Sequence, residues 1–436
     1  MIRSGASAAD VSLESVALLV QDVPGHQSDV KNADSDQPIA VTKTREAAAA
    51  PAKILFLDGI RGLAALLVVT QHSHEYLQDL NLGACAVDTF FVLSSFLLTM
   101  LFTKKSMKLL AHGASYRKWA FTLADYFSKR FFRVYPLFAL IAVVLWMLPD
   151  EDKRRYYLIA QPENYDLYKV LTFDFDQRYF VLWTLPLEIT YYFFIPVFVL
   201  AVLKLQKYWW VPFIPACTWV VYEGWYTYRW DHMKLSPHAP TFLTGSMAAV
   251  IFVKLDTWMK TSSLTPRPAL RHAIRAVELA ALWVILSLCF RGLFFNWVHA
   301  NVAPQTPGFP FISVLLTVVL VIEMLLPSCL STMFEWSMLR YCGKVSFSIY
   351  LVHGFVIYAE AISSQQSYYD RFFSRFGLTL LLATASYHLV EFPSQLLAQH
   401  ITRALAKREA LGSSGIINSI ARKLRADTTV EKAMYA

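Results

Sequence analysis

Charge is scarce in this sequence. Only 17% of its 436 residues are Asp, Glu, Lys or Arg, against about 25% in an average soluble domain. The hydrophobic residues, 56% of the total, gather in long blocks. That combination excludes disorder for most of the chain and argues against a string of soluble domains. Cysteine is scarce as well. Cys85, Cys217, Cys289, Cys329 and Cys342 show no CxxC and no metal-ligand spacing, so neither a disulfide scaffold nor a metal site is expected. Most of them lie in or beside apolar segments, where a thiol behaves as a small hydrophobe. No basic soluble domain is visible, so the net charge of +8 does not point to nucleic acid. An early apolar h-region is also missing, because Val16–Val20 is too short for one. Residues 1–53 therefore read as a disordered cytosolic tail rather than a signal peptide.

What is present is a series of apolar runs. A spanning helix needs about 20 mainly apolar residues, and about 17 suffice. Ten stretches qualify: 55–77, 86–102, 134–149, 179–202, 208–226, 239–253, 276–294, 310–327, 345–361 and 373–392. The third and sixth are short. Lys and Arg collect in the loop 103–133, the loop 254–275 and the C-terminal segment, which fall on one side if there are ten spans. Cytosolic loops carry such an excess. The expected fold is an all-α polytopic transmembrane bundle of about ten helices with both termini cytosolic. Its membrane domain would cover 54–394, followed by a basic cytosolic tail at 395–436.

Ionisable residues inside these runs are costly in hydrocarbon and mark candidate sites. The first run holds Asp58, Arg61, His72 and His74. Arg61 and His72 are eleven positions apart, close to three helical turns, so they share a face about 16 Å apart along the axis. Asp58, one turn before Arg61, can pair with it. The alternative is an interfacial Asp–Arg anchor and a histidine satisfied by a neighbouring helix. Arg130 and Arg133 share a helix face and suit bidentate phosphate recognition. An ordinary positive-inside anchor is the commoner use of two such residues. Glu188 lies near the middle of the fourth run, where a relay role competes with a structural ion pair. His353 in the ninth run is as compatible with a core histidine as with a functional one. Glu391, at the end of the tenth, reads as a cap or ion-pair residue.

Taken in order, these blocks resemble acyltransferase family 3, a family of integral membrane acyltransferases. DGIRGLAALLVVTQH is similar to the family's Arg-x10-His opening at Arg61 and His72. GACAVDTFFVLSSFLL, RFFRVYP and WTLPLEITYYFFIP resemble its next three elements, and FLTGSMAA, GKVSFSIYLVHGF and YHLVEFP its later ones. The resemblance runs from about residue 54 to 394. It implies transfer of an acyl group, usually acetyl, from acyl-CoA to a hydroxyl of a carbohydrate, lipid or small molecule. It also implies essential roles for His72, Arg61, Arg130 and Arg133. In such a reaction His72 would serve as general base, with Arg61 orienting the site. Glu188 would hold the charged imidazole and His353 would assist. No G-x-S-x-G elbow is present, which favours direct transfer.

Two departures from the family pattern stand out. Ser95 replaces a usual glycine in the second block, so looser helix packing is expected there. No soluble domain follows the tenth block, unlike in some bacterial members, so a self-contained membrane transferase is expected. The same intramembrane charges would also fit a proton-coupled transporter, although no pair of broken helices appears in corresponding halves. A non-catalytic scaffold of the same fold is a third class.

Overall fold

The computed structural model describes residues 54–77, 80, 82–226, 233–262, 267–296 and 312–408, apart from the side chain of Trp225. The expected tail at 1–53 lies outside them, as does the end of the C-terminal segment. The described residues form helices and turns without strands. The helices are α1 (Leu55–His72), α2 (Leu82–Ala111), α3 (Tyr116–Met147), α4 (Asp150–Tyr157), α5 (Leu167–Leu171) and α6 (Thr184–Lys204). They continue with α7 (Phe213–Tyr226), α8 (Ala239–Ser262), α9 (Pro268–Cys289), α10 (Ile312–Leu325) and α11 (Cys329–Phe334). The last are α12 (Ser337–Lys344), α13 (Ser346–Ile357), α14 (Glu360–Ser363) and α15 (Tyr368–Ser386).

A helix stands at each of the ten expected positions, but six are long and apolar enough to cross a membrane by themselves. These are α1, α2, α3, the segment Phe180–Lys204, the segment Ser236–Ser262 and α9. The apolar helices α10 and α13 are shorter. Two boundaries differ from expectation for clear reasons. α3 begins at Tyr116, well before the apolar run at 134, because Ser115 caps it by accepting from the Lys118 amide. It then passes through Pro136 unbroken. At the other end, α15 runs through a π-helical turn, Tyr387–Glu391, into a helix over 392–408. This last helix reaches α3, where Thr402 donates to Asp125 at 2.6 Å. Asp125 also pairs with Lys129 at 2.9 Å and Lys105 at 3.0 Å.

Helix α1 is central, packed on α2, α12 and α13. Its contact with α12 is backbone against backbone. A Cβ at Gly62 would strike the Leu339 carbonyl, and one at Gly343 would strike the Asp58 carbonyl. Small residues permit such approach where lipid supplies no hydrophobic drive between helices. The same device answers the Ser95 departure. A Cβ at Gly245 of α8 would collide with the Ser95 hydroxyl, so α2 and α8 pack tightly there. The expected looseness is absent. Exposed apolar side chains mark the outer faces, among them Val197 at 66% and Leu381 at 68%.

Candidate active site

Two polar centres lie at opposite ends of α1. The first surrounds Arg61, which pairs with Asp58 at 3.3 Å, one turn away. Arg130 and Arg133 of α3 and Glu188 of α6 all lie within electrostatic reach of Arg61. Glu188 accepts from the Ser94 hydroxyl of α2. Glu391, buried in the π-helical turn, accepts from Ser348 at 2.9 Å and from Gln395 at 3.0 Å. Arg133 and Arg61 are the charges that act on it. Three partly buried guanidinium groups thus lie within electrostatic reach of one another. Among the described residues Arg130 and Arg133 form no ion pair, and Nε of Arg130 is buried without a hydrogen-bond partner. A buried cation left unpaired is costly, and planar guanidinium forks match phosphate oxygens two at a time. The cluster is of a kind that suits an anion.

The second centre is built on histidine. His72 closes α1, and its Nδ1 lies 2.9 Å from Nε2 of His353 on α13. His353 is fully buried. Its own Nδ1 lies 2.8 Å from the Tyr350 carbonyl. A carbonyl can only accept, so Nδ1 of His353 carries the proton, and Nε2 of the neutral ring is an acceptor. Nδ1 of His72 must then donate, which leaves Nε2 of His72 with a lone pair. The ring of Phe180 covers the pair, with centroids 4.8 Å from His72 and 5.3 Å from His353. Phe180 has φ 39°, a conformation rare for a bulky residue and found where a site dictates backbone position.

The structure thus gathers Arg61, Arg130, Arg133 and Glu188 at one centre and joins His72 to His353 at the other. The expected pairing of Glu188 with His72 does not occur. Glu188 is held by Ser94 among the arginines, and the groups acting on His72 are His353 and His74. Two contributors escape sequence reasoning. The YHLVEFP block marks Glu391 without revealing that it faces Arg61 and Arg133. Phe180 gives no signal, because a positive φ at phenylalanine has no sequence signature. Among the described residues no cluster of three or more His, Cys, Asp or Glu could hold a metal ion.

A sequence profile of the acyltransferase domain matches residues 54–387, a range that contains both centres except Glu391. The chain belongs to acyltransferase family 3. A relative in Staphylococcus aureus strain COL, provisionally named an O-acetyltransferase, is 25% identical over 369 residues, covering 77% of this chain and 56% of its own. Another, in Bacillus subtilis strain 168, bears the provisional name of a peptidoglycan O-acetyltransferase. It is 25% identical over 366 residues, covering 77% of this chain and 54% of its own. Protein 2 in the picA locus of Rhizobium radiobacter is 35% identical over 96 residues, or 22% of this chain and 45% of its own. The chain therefore spans just over half the length of the two long relatives. No solved structure matches it. Family membership and six apolar helices make this acyltransferase-family chain a multi-pass integral membrane protein.

Proposed function

We propose that this chain is a membrane-embedded O-acyltransferase that moves an acyl group, acetyl in the simplest case, from acyl-CoA to a hydroxyl acceptor. The observation that carries the reading is the hydrogen-bonded sequence His72–His353–Tyr350 carbonyl at one end of α1, with an arginine cluster at the other. In this reading residues 54–394 supply the catalytic unit. It crosses the membrane ten times, with 1–53 and the basic C-terminal segment in the cytosol. The Lys/Arg-rich loops and the helices at all ten expected positions support that topology.

Arg130 and Arg133 bind the donor's phosphates, and Arg61 completes the cluster. The pantetheine arm, long and thin, lies along α1 and carries the thioester toward His72, about 16 Å from Arg61 at 1.5 Å per residue. Nε2 of His72 takes the proton of the acceptor hydroxyl as its oxygen attacks the thioester carbonyl. The tetrahedral intermediate collapses, the C–S bond breaks, and the proton passes to the departing thiolate. The transient imidazolium is stabilised through its Nδ1–H bond to His353, whose own Nδ1–H is anchored on the Tyr350 carbonyl. His353 is a positioning residue that fixes the tautomer of the base. Glu188 and Glu391 balance the arginines when the donor is away.

The experiment is a transfer assay with labelled acetyl-CoA on matched amounts of wild-type and His72→Ala protein. The expected result is loss of transfer with donor binding intact. Equal activity in the variant would overturn the assignment, and solute flux without acyl-CoA would favour a transporter.

A further inference from the structure

Three cysteines are buried: Cys85, Cys289 and Cys342. Two of them meet. Sγ of Cys289 lies 3.4 Å from Sγ of Cys85, although 204 positions separate the residues in the chain. Cys85 stands in the first turn of α2, and Cys289 is the last residue of α9. Sequence spacing hides this pair, because only packing brings the two helix ends together. A disulfide has an S–S bond of about 2.05 Å, so the sulfurs stand about 1.4 Å beyond bonding distance.

The surroundings suit a covalent fastening. α9 packs along α10, and it touches α2 through a small apolar cluster of Leu82, Cys85, Ile285, Leu288, Cys289 and Ile312. The opposite face of α9 is open, with Val277, Leu279 and Trp283 exposed. Little apolar surface therefore holds α9 against α2. Beside the pair, the Gly83 amide donates to Oε1 of Gln71 at 3.3 Å, and Gln71 directly precedes His72. The two thiols thus lie at the histidine end of the bundle, near the contact that joins α1 to α2. Packing as small hydrophobes is the competing account of buried thiols. It asks only for apolar neighbours, and does not ask that two sulfurs from distant helix ends face each other.

We propose that Cys85 and Cys289 form a redox modification site, closed by oxidation into a disulfide that fastens the start of α2 to the end of α9. The structure shows the pair in its reduced form. The compartment rests on the topology proposed above, which puts these helix ends on the side away from the cytosol. Disulfides form and persist there and are rare in the cytosol. The oxidant is itself a disulfide, either a small one such as glutathione disulfide or that of an oxidoreductase. One cysteine thiolate attacks a sulfur of the oxidant, forming a mixed disulfide and expelling one thiol. The second cysteine thiolate then displaces the other half of the oxidant. The two cysteines together lose two electrons and two protons, and the S–S bond of the oxidant is reduced to two thiols. In the packed chain Cys85 and Cys289 are only 6% and 7% exposed. The exchange therefore takes place as the chain inserts, and packing then shields the bond from reductants.

The test counts thiols in the full chain taken directly from its membrane. Free thiols are blocked with N-ethylmaleimide at lysis, and the denatured protein is digested and weighed with and without reductant. The expected result is a peptide pair linked through Cys85 and Cys289, two hydrogens lighter than the separate peptides, with Cys217, Cys329 and Cys342 blocked. Cys85→Ala and Cys289→Ala should each show no link and every remaining cysteine blocked. Their size-exclusion profiles in detergent report that they are folded. Reduction should lower the melting temperature of wild type and leave that of both variants unmoved. All five cysteines blocked in wild type, or a link through another cysteine, would overturn the proposal. In the first case glutathione disulfide is added to the purified chain. Closure of the pair would then trace the failure to the proposed membrane side, and no closure would trace it to the geometry. A wild-type melting temperature indifferent to reduction would overturn the fastening.

Discussion

The two ends of α1 are built by opposite rules. At the Arg61 end charge is concentrated: three arginines and the carboxylates Glu188 and Glu391 cluster, and among the described residues Arg130 and Arg133 form no ion pair. At the His72 end charge is avoided. Two imidazoles and a backbone carbonyl form a neutral, directional sequence of hydrogen bonds under a phenylalanine lid. Unpaired cations in a partly buried place favour an anion and contribute binding. A neutral base with one fixed tautomer favours proton transfer and contributes rate. Under the proposed function one helix separates affinity from chemistry, and substitutions at its two ends should fail in different ways.

The largest effect is expected at the base. His72→Ala should lower transfer by about 10³-fold, within the range for a lost general base, while donor affinity stays within about threefold. Retained transfer would collapse the distinction between the ends. At the other end, Arg130→Ala/Arg133→Ala should weaken acetyl-CoA binding by about 100-fold or more, because each hydrogen bond to a charged group contributes about 1.5–3 kcal/mol. At saturating donor, turnover in that variant should recover in large part. His353→Ala should do less than either, lowering kcat about tenfold to 100-fold with little change in KM for acetyl-CoA. The acid limb of its pH–rate profile should move, because His72 loses the partner that fixes its tautomer. An unchanged profile would make His353 a packing residue.

Two smaller effects test the scaffold shared by the ends. Gly62→Val should destabilise the protein by about 1–3 kcal/mol, typical of overpacking, since the Leu339 carbonyl occupies the space a Cβ needs. A thermal-unfolding series in detergent reads this, and Gly377→Ala, where nothing lies within 4 Å of the new Cβ, is the control. The smallest effect is at Glu75. Hydrogen bonding from Arg371 holds its carboxyl below the ordinary value of 4.5. A carboxyl depressed on folding adds stability above its unfolded pKa and loses it as pH falls through the folded one. Between about pH 6 and 3, wild type should therefore lose slightly more thermal stability than Glu75→Gln.

Much of the helix inventory can be read from the order of the apolar blocks, because a spanning helix must satisfy its own backbone and so appears as one continuous run. Helix ends are less legible. α3 starts at its serine cap rather than at its apolar run, and the last helix continues through a π-helical turn that hydropathy does not register. Within the site, the Arg61–His72 spacing is a local property of one helix and is readable from sequence. The partner of His72 is not, because His353 lies 281 positions away and meets it only through the packing of α13 on α1. For the same reason spacing alone could not keep Glu188 from the imidazole: Ser94 on another helix holds it among the arginines.

The most direct measurement is calorimetric titration of acetyl-CoA into detergent-purified wild type, His72→Ala and Arg130→Ala/Arg133→Ala protein, needing no acceptor. The account predicts saturable binding in wild type and His72→Ala with closely similar affinity, and its loss in the double-arginine variant. Binding lost in His72→Ala but kept in the double-arginine variant would contradict it, because the donor's phosphates would then be held at the wrong end of α1.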